Sequence, residues 1–199
     1  INELVKSCLV NKAVNPLDLL VGDRNALMIA IRITGYGHEY DAEVECTECE
    51  TRSQQVFNLA ELGICRLQIE PVSPGVNLFE YELPYTGKTA RFRFLTGRVE
   101  QEMAMIEQRT KKQIGGPESA VTMGLLHSIV SIDQVEDRAK LAQFVRAMPA
   151  RDSLALRSYI KDNEPDVIMK QSVTCPSCGH DEEVDMPIGI NFLWPQARR

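Results

Sequence analysis

Apolar residues along the chain change period three times, and each change predicts a new kind of element. Leu4, Val5, Cys8 and Leu9 recur at helical spacing. Beyond Asn15-Pro16 a second helix is expected from an N-cap at Asp23 through Leu27, Met28, Ile31 and Arg32 to Gly35-Tyr36-Gly37, where glycine accepts the positive φ of a helix end. From His38 the period becomes two. Tyr40, Ala42, Val44 and Cys46 alternate with Glu39, Asp41, Glu43 and Glu45, which predicts a strand with one solvated acidic face; Thr51 to Leu59 return as its partner. After Pro71-Val72-Ser73-Pro74-Gly75, a second hairpin is expected around Tyr85-Thr86-Gly87-Lys88, with Phe79, Tyr81, Leu83, Ala90, Phe92 and Phe94 giving an aromatic inner face.

Residues 97–162 read as helical almost throughout, cut at Gly115-Gly116-Pro117, at Ser131-Ile132-Asp133 and at Met148-Pro149. The stripes include Met103, Ile106 and Ile114, then Leu125, Ile129 and Val130, then Leu141, Phe144 and Val145, and finally Leu156, Tyr159 and Ile160; a helical core is their simplest meaning. Period two resumes at Asp166–Thr174 and again through Glu183, Val184, Asp185 and Met186. The expected class is therefore α+β: a helical body joined to a small antiparallel zinc-ribbon-like sheet made of two hairpins far apart in sequence. In segments, this gives an N-terminal helical part (1–37), a ribbon-like module (38–59 and 166–188), a linker with the second hairpin (60–96), a helical domain (97–165) and a tail (189–199). The tail carries Phe192, Leu193, Trp194 and Pro195, either as a core plug or as a docking peptide.

Composition narrows the function classes. The 199 residues are 44% hydrophobic and 25% charged, which is ordinary for a globular chain and excludes collagen-like and wholly disordered readings. No run approaches the ~18 apolar residues of a membrane span, and the first residues lack a secretory pattern, so a soluble, non-exported protein is expected. Net charge is −6. Residues 38–59 hold six acids against Arg52, and residues 166–188 hold five against Lys170, so the ribbon carries −9 and the remainder +3. That balance disfavours nucleic acid and suits a basic or neutral protein surface, or else a solvated face that protects strand edges.

Four of the six cysteines form two Cys-x-x-Cys knuckles, Cys46/Cys49 and Cys175/Cys178, each at the tip of a hairpin. Such spacing lets two thiolates grip one ion from a tight turn, and two turns complete a tetrahedral four-sulfur site. Zinc is the expected cofactor, with an iron–sulfur cluster or redox thiols as alternatives. Four thiolates leave no open position, so the ion would be structural and would close a loop of about 126 residues, removing about 4 kcal/mol of chain entropy from the unfolded state. His38 and His180 adjoin the knuckles but are not needed as ligands. Cys8 and Cys65 read as buried structural thiols. His127 and Ser128 are adjacent, so on a helix they cannot face each other as base and nucleophile. Arg91, Arg93 and Arg98, with Arg109, Lys111 and Lys112 after them, read as solvated faces. Phosphate-loop, dinucleotide, zincin and nucleophile-elbow motifs are all absent, so no catalytic residues, no small-molecule substrate and no enzyme are expected.

Several features together resemble the T-even-type phage baseplate protein family. They are Asp23-Arg24, Arg32 with Gly35-Tyr36-Gly37 and Tyr40, the Cys46/Cys49 knuckle, Leu83-Pro84, Cys175-Pro176-Ser177-Cys178-Gly179, and the Pro187 to Pro195 segment with Phe192 and Trp194. The resemblance implies a component of the hub region of a contractile-tail baseplate, with other baseplate, hub and tail proteins as partners and the virion as its location. It implies either a built-in subunit or a hub assembly chaperone absent from the mature particle. Two rival readings stay open: a zinc-ribbon nucleic-acid-associated factor, which needs basic residues near the knuckles, and a thiol oxidoreductase, which needs a Cys-x-x-Cys at a helix N-terminus.

Overall fold

The computed structural model describes residues 2–110, 120–188 and 190–195. In chain order the elements are α1 (Asn2–Cys8), a 3-10 turn (Pro16–Asp18), α2 (Val21–Tyr36), β1 (Glu39–Glu45), β2 (Arg52–Asn58), β3 (Ile64–Cys65), β4 (Phe79–Glu82) and β5 (Thr89–Phe92). There follow α3 (Gly97–Thr110), α4 (Ala120–Ser128), β6 (Ile129–Ile132), α5 (Arg138–Arg146), α6 (Ala150–Asn163), β7 (Asp166–Val167), β8 (Lys170–Thr174), β9 (Asp181–Asp185) and α7 (Ile190–Leu193). The α+β class is as the periodicities predict. The expected Gly115-Gly116-Pro117 break, Ile114, Lys111 and Lys112 lie outside the described residues.

The chain divides into two compact units. The first is built from the N-terminal residues to Lys12, Gly22–Cys65 and everything from Asp166 onward; the second from Ala13–Val21 and Arg66–Pro165. In the first unit, β1 and β2 form one antiparallel ladder, Glu39↔Asn58 to Glu45↔Arg52, and β8 and β9 another, Lys170↔Asp185 to Thr174↔Asp181. They are separate two-stranded sheets rather than one ribbon sheet, and β3 pairs only with β7. The expected strand over 166–174 is thus split, because Asp166–Val167 turns to meet Ile64–Cys65. One core joins these pieces: Val5, Met28, Ile29, Tyr40, Ala42, Val44, Phe57, Met186, Phe192 and Leu193 are all buried in it.

Arg32, near the end of α2, is only 5% exposed. Its guanidinium donates to the carbonyls of Gly37 at 3.1 Å and Glu39 at 2.9 Å, and lies 5.3 Å from the ring centroid of Tyr36 and 6.0 Å from that of Tyr40. Gly37, at φ 87°, ends the helix by donating to the Ile33 carbonyl. The Arg32-to-Tyr40 motif is therefore a joint that fixes how α2 hands over to β1. The helix begins at Val21, ahead of the expected cap, and Asp23 sits in its first turn where a carboxylate complements the dipole.

In the second unit, β4, β5 and β6 form a three-stranded sheet in that order. Phe79, Phe92 and Phe94 are buried on its inner face as the alternation predicts, and Tyr159 of α6 meets Phe92 edge-to-face at 6.0 Å. Strand β6 corrects the expectation of near-continuous helix: Ile129-Val130-Ser131-Ile132 is β-branched at three of its four positions and pairs with β5 across a bulge at Arg91/Phe92. Asp152, fully buried in the first turn of α6, accepts from the amides of Tyr85 (2.7 Å) and Thr86 (3.2 Å) and from the Thr86 hydroxyl (2.8 Å). It ties the β4–β5 turn to α6.

Candidate metal centre

Each knuckle is a reversal between two strands, built the same way. In the first, the Cys46 amide donates to Thr51 O and Glu50 N donates to Cys46 O at 2.9 Å; in the second, the Cys175 amide donates to His180 O and Gly179 N donates to Cys175 O at 2.9 Å. Both turns close on a positive φ four residues after the first cysteine, 56° at Glu50 and 74° at Gly179. Cys46 and Cys175 are buried; Cys49 and Cys178 are exposed.

The four sulfurs converge within 4.8 Å of one another. Cys46 Sγ lies 3.8 Å from Cys178 Sγ, and Cys49 Sγ lies 3.7 Å from Cys175 Sγ, so each buried cysteine faces the exposed one of the other knuckle. A tetrahedral ion with metal–sulfur bonds of about 2.3 Å needs sulfur–sulfur edges of about 3.8 Å, so the donor set fits such an ion with small adjustments. Polar contacts bridge the same two turns. The Thr47 hydroxyl donates to Glu182 Oε2 at 2.7 Å, which holds the Glu182 carboxyl below its usual range, and Gln55 Nε2 donates to Thr174 O at 3.4 Å.

Without an ion the thiols are unequal. Hydrogen bonds from the Thr51 side chain and amide, with help from Cys178, bring Cys49 down to about 6. At Cys178 the His180 amide pulls the other way, but Cys49, burial and the remaining thiols together push it up to about 12. No helix starts at either knuckle, so the helix-dipole activation of a thiol oxidoreductase is missing. Among the described residues, neither His38 nor His180 joins the sulfur cluster.

The match of a family model decides what kind of protein this is: the model described as T4 bacteriophage base plate protein covers residues 1–194. The chain belongs to that family. No curated protein and no solved structure matches it. Membership makes this protein a phage baseplate component, and the family implies a virion-tail location and interaction with other phage structural proteins. Among its described residues no helix is long and apolar enough to cross a membrane.

Other residues singled out in the sequence are placed as follows. Phe192 and Leu193 are 0% and 5% exposed and belong to the first unit's core, Phe192 meeting Tyr40 edge-to-face at 5.0 Å. For these two the plug replaces the docking peptide; Trp194 remains 53% exposed. Cys8 is exposed and Cys65 half-buried, not buried as expected, because Cys8 ends α1 and Cys65 lies in a two-residue strand. His127 is kept below the usual histidine range chiefly by burial. Arg91 pairs with Glu80, Arg98 with Asp18, and Arg93 donates to His127 O, so these cations are individually engaged. Sequence reasoning missed Arg32 as a buried joint and Asp152 altogether; a lone Asp in a first helical turn carries no signal of the distant turn it caps.

Proposed function

We propose that this baseplate protein is a structural subunit of the hub region of a contractile tail, in which Cys46, Cys49, Cys175 and Cys178 hold one Zn²⁺. The convergence of four sulfurs from two distant stretches of the chain at tetrahedral edge spacing supports the metal in this reading, and the family match supports the baseplate role. Zinc would supply a closed, redox-inert cross-link between the two knuckles, with no coordination position left for water, so the role is scaffolding rather than catalysis. The residues themselves pre-form the site through two matched turns and the Thr47–Glu182 bridge. Neighbouring baseplate and tail proteins are the partners, and exposed Trp194 with Pro195 is a contact point toward them. Nucleic acid, a membrane and a small-molecule substrate are not partners in this reading.

The test is elemental analysis of native protein with a free-thiol count, alongside Cys46→Ser and Cys178→Ser. About one zinc per chain and four protected thiols are expected, with either substitution lowering stability by about 4 kcal/mol, the order of the loop-closure term. Metal-free protein with four reactive thiols, or variants that melt like wild type, would overturn the metal. Cross-linking of purified tails tests the placement: links to hub proteins support it, and absence of the protein from finished tails would mark an assembly helper instead.

A further inference from the structure

Two surfaces, one in each unit, have complementary chemistry. In the second unit, α4 and α6 border an open groove of about 190 Å³ with Leu125 and Ile160 on its floor and Arg157, Lys161 and Glu164 at its rim. Gly124 of α4 leaves it open, since a Cβ there would meet nothing within 4 Å. Arg157 and Lys161 are one helical turn apart, about 6 Å along the axis.

In the first unit, the outer face of β1 and β2 presents Glu39, Asp41, Glu43 and Glu45 opposite Asn58, Val56, Gln54 and Arg52. Val56 sits amid this acidic row and is 64% exposed. Successive carboxylates on one strand face are about 6.7 Å apart, close to the spacing of the two groove cations. At the knuckle end of the row Arg52 pairs with Glu45 at 2.8 Å and reaches Glu43 at 3.8 Å. The first unit carries the whole net charge, with 14 acidic against 8 basic residues, while the second is balanced at 14 each.

We infer that a second copy of this chain docks on the groove, its Val56 entering between α4 and α6 while the flanking carboxylates meet Arg157 and Lys161. The contact uses two different patches, so it is head-to-tail and can propagate from copy to copy. It does not depend on the hub placement or on the metal, because it is read in solution from the purified chain.

Sedimentation velocity of the full-length protein, from about 1 to 100 µM at low and at high salt, tests it. Concentration-dependent association, at least about tenfold weaker at high salt, is expected from screening of the carboxylate–cation contacts. Gly124→Leu fills the groove and Val56→Lys puts a cation in the acidic row. Each variant alone should be monomeric with wild-type circular dichroism and melting. Their equimolar mixture should form dimers only, through the intact groove of one and the intact face of the other. A monomeric wild type, variants that associate as wild type does, or a mixture that stays monomeric would each overturn the inference.

Discussion

A buried aspartate and an awkward φ show how single residues set this fold. Asp152 is sealed from solvent with three donors from the β4–β5 turn, and its position in the first turn of α6 adds the favourable end of the dipole. Asp152→Ala would remove the shared acceptor of two backbone amides and a hydroxyl and leave space where a sealed side chain stood, so a loss of about 2 kcal/mol is expected in urea unfolding. Glu50 is the opposite case: at φ 56° it does the work that Gly179 does in the other knuckle. Glu50→Gly should raise the melting temperature slightly, by relieving about 1 kcal/mol of left-handed strain less the entropy glycine adds to the unfolded chain. An unchanged or lower melting point would show that any strain there is no larger than the entropy glycine adds to the unfolded chain.

Among the elements, the short C-terminal helix is the most informative. Alternating period two and period 3.6 patterns place β1 and β2 to within a residue and β9 and α2 to within two, because each alternates wetter and drier positions, whereas β8 starts four residues after the expected strand. The tail has no such alternation, and only its contacts show that α7 is core. Phe192→Ala should therefore cost about 3–5 kcal/mol, measured by chemical denaturation, whereas Trp194→Ala should leave stability within about 0.5 kcal/mol. Strand β6 escaped the sequence for a related reason: four residues, three of them apolar, fit either period, and its pairing with β5 is decided by residues about forty positions away.

At the scale of the whole molecule, Arg66–Pro165 of the second unit intervenes between two segments of the first, Gly22–Cys65 and the chain from Asp166, so the metal centre depends on those two segments meeting. A hydrophobic core already brings them together, and the sulfurs gain from that pre-organisation. The thiol protonation states make the coupling measurable. In metal-free protein at neutral pH, Cys49 near 6 is ionised, while Cys178 near 12 and the raised Cys46 keep their protons. Zinc uptake at pH 7 should therefore release about two protons or more, seen as a buffer-dependent heat in calorimetry. Release of no protons would mean that the ion does not bind these thiols. The depressed Cys49 also contributes to the metal-free fold above its unfolded pKa, a contribution lost as pH falls through about 6.

The sequence by itself determined the α+β class, the hairpins, the aromatic face and the four cysteines as one set, because periodicity and ligand spacing are local and chemical. Tertiary structure alone decided that the hairpins stay separate sheets, that Phe192 and Leu193 are core, that Arg32 and Asp152 are buried, and that α4 and α6 leave a groove beside Gly124. Those facts depend on which distant surfaces meet, and burial is a property of the meeting rather than of the residue.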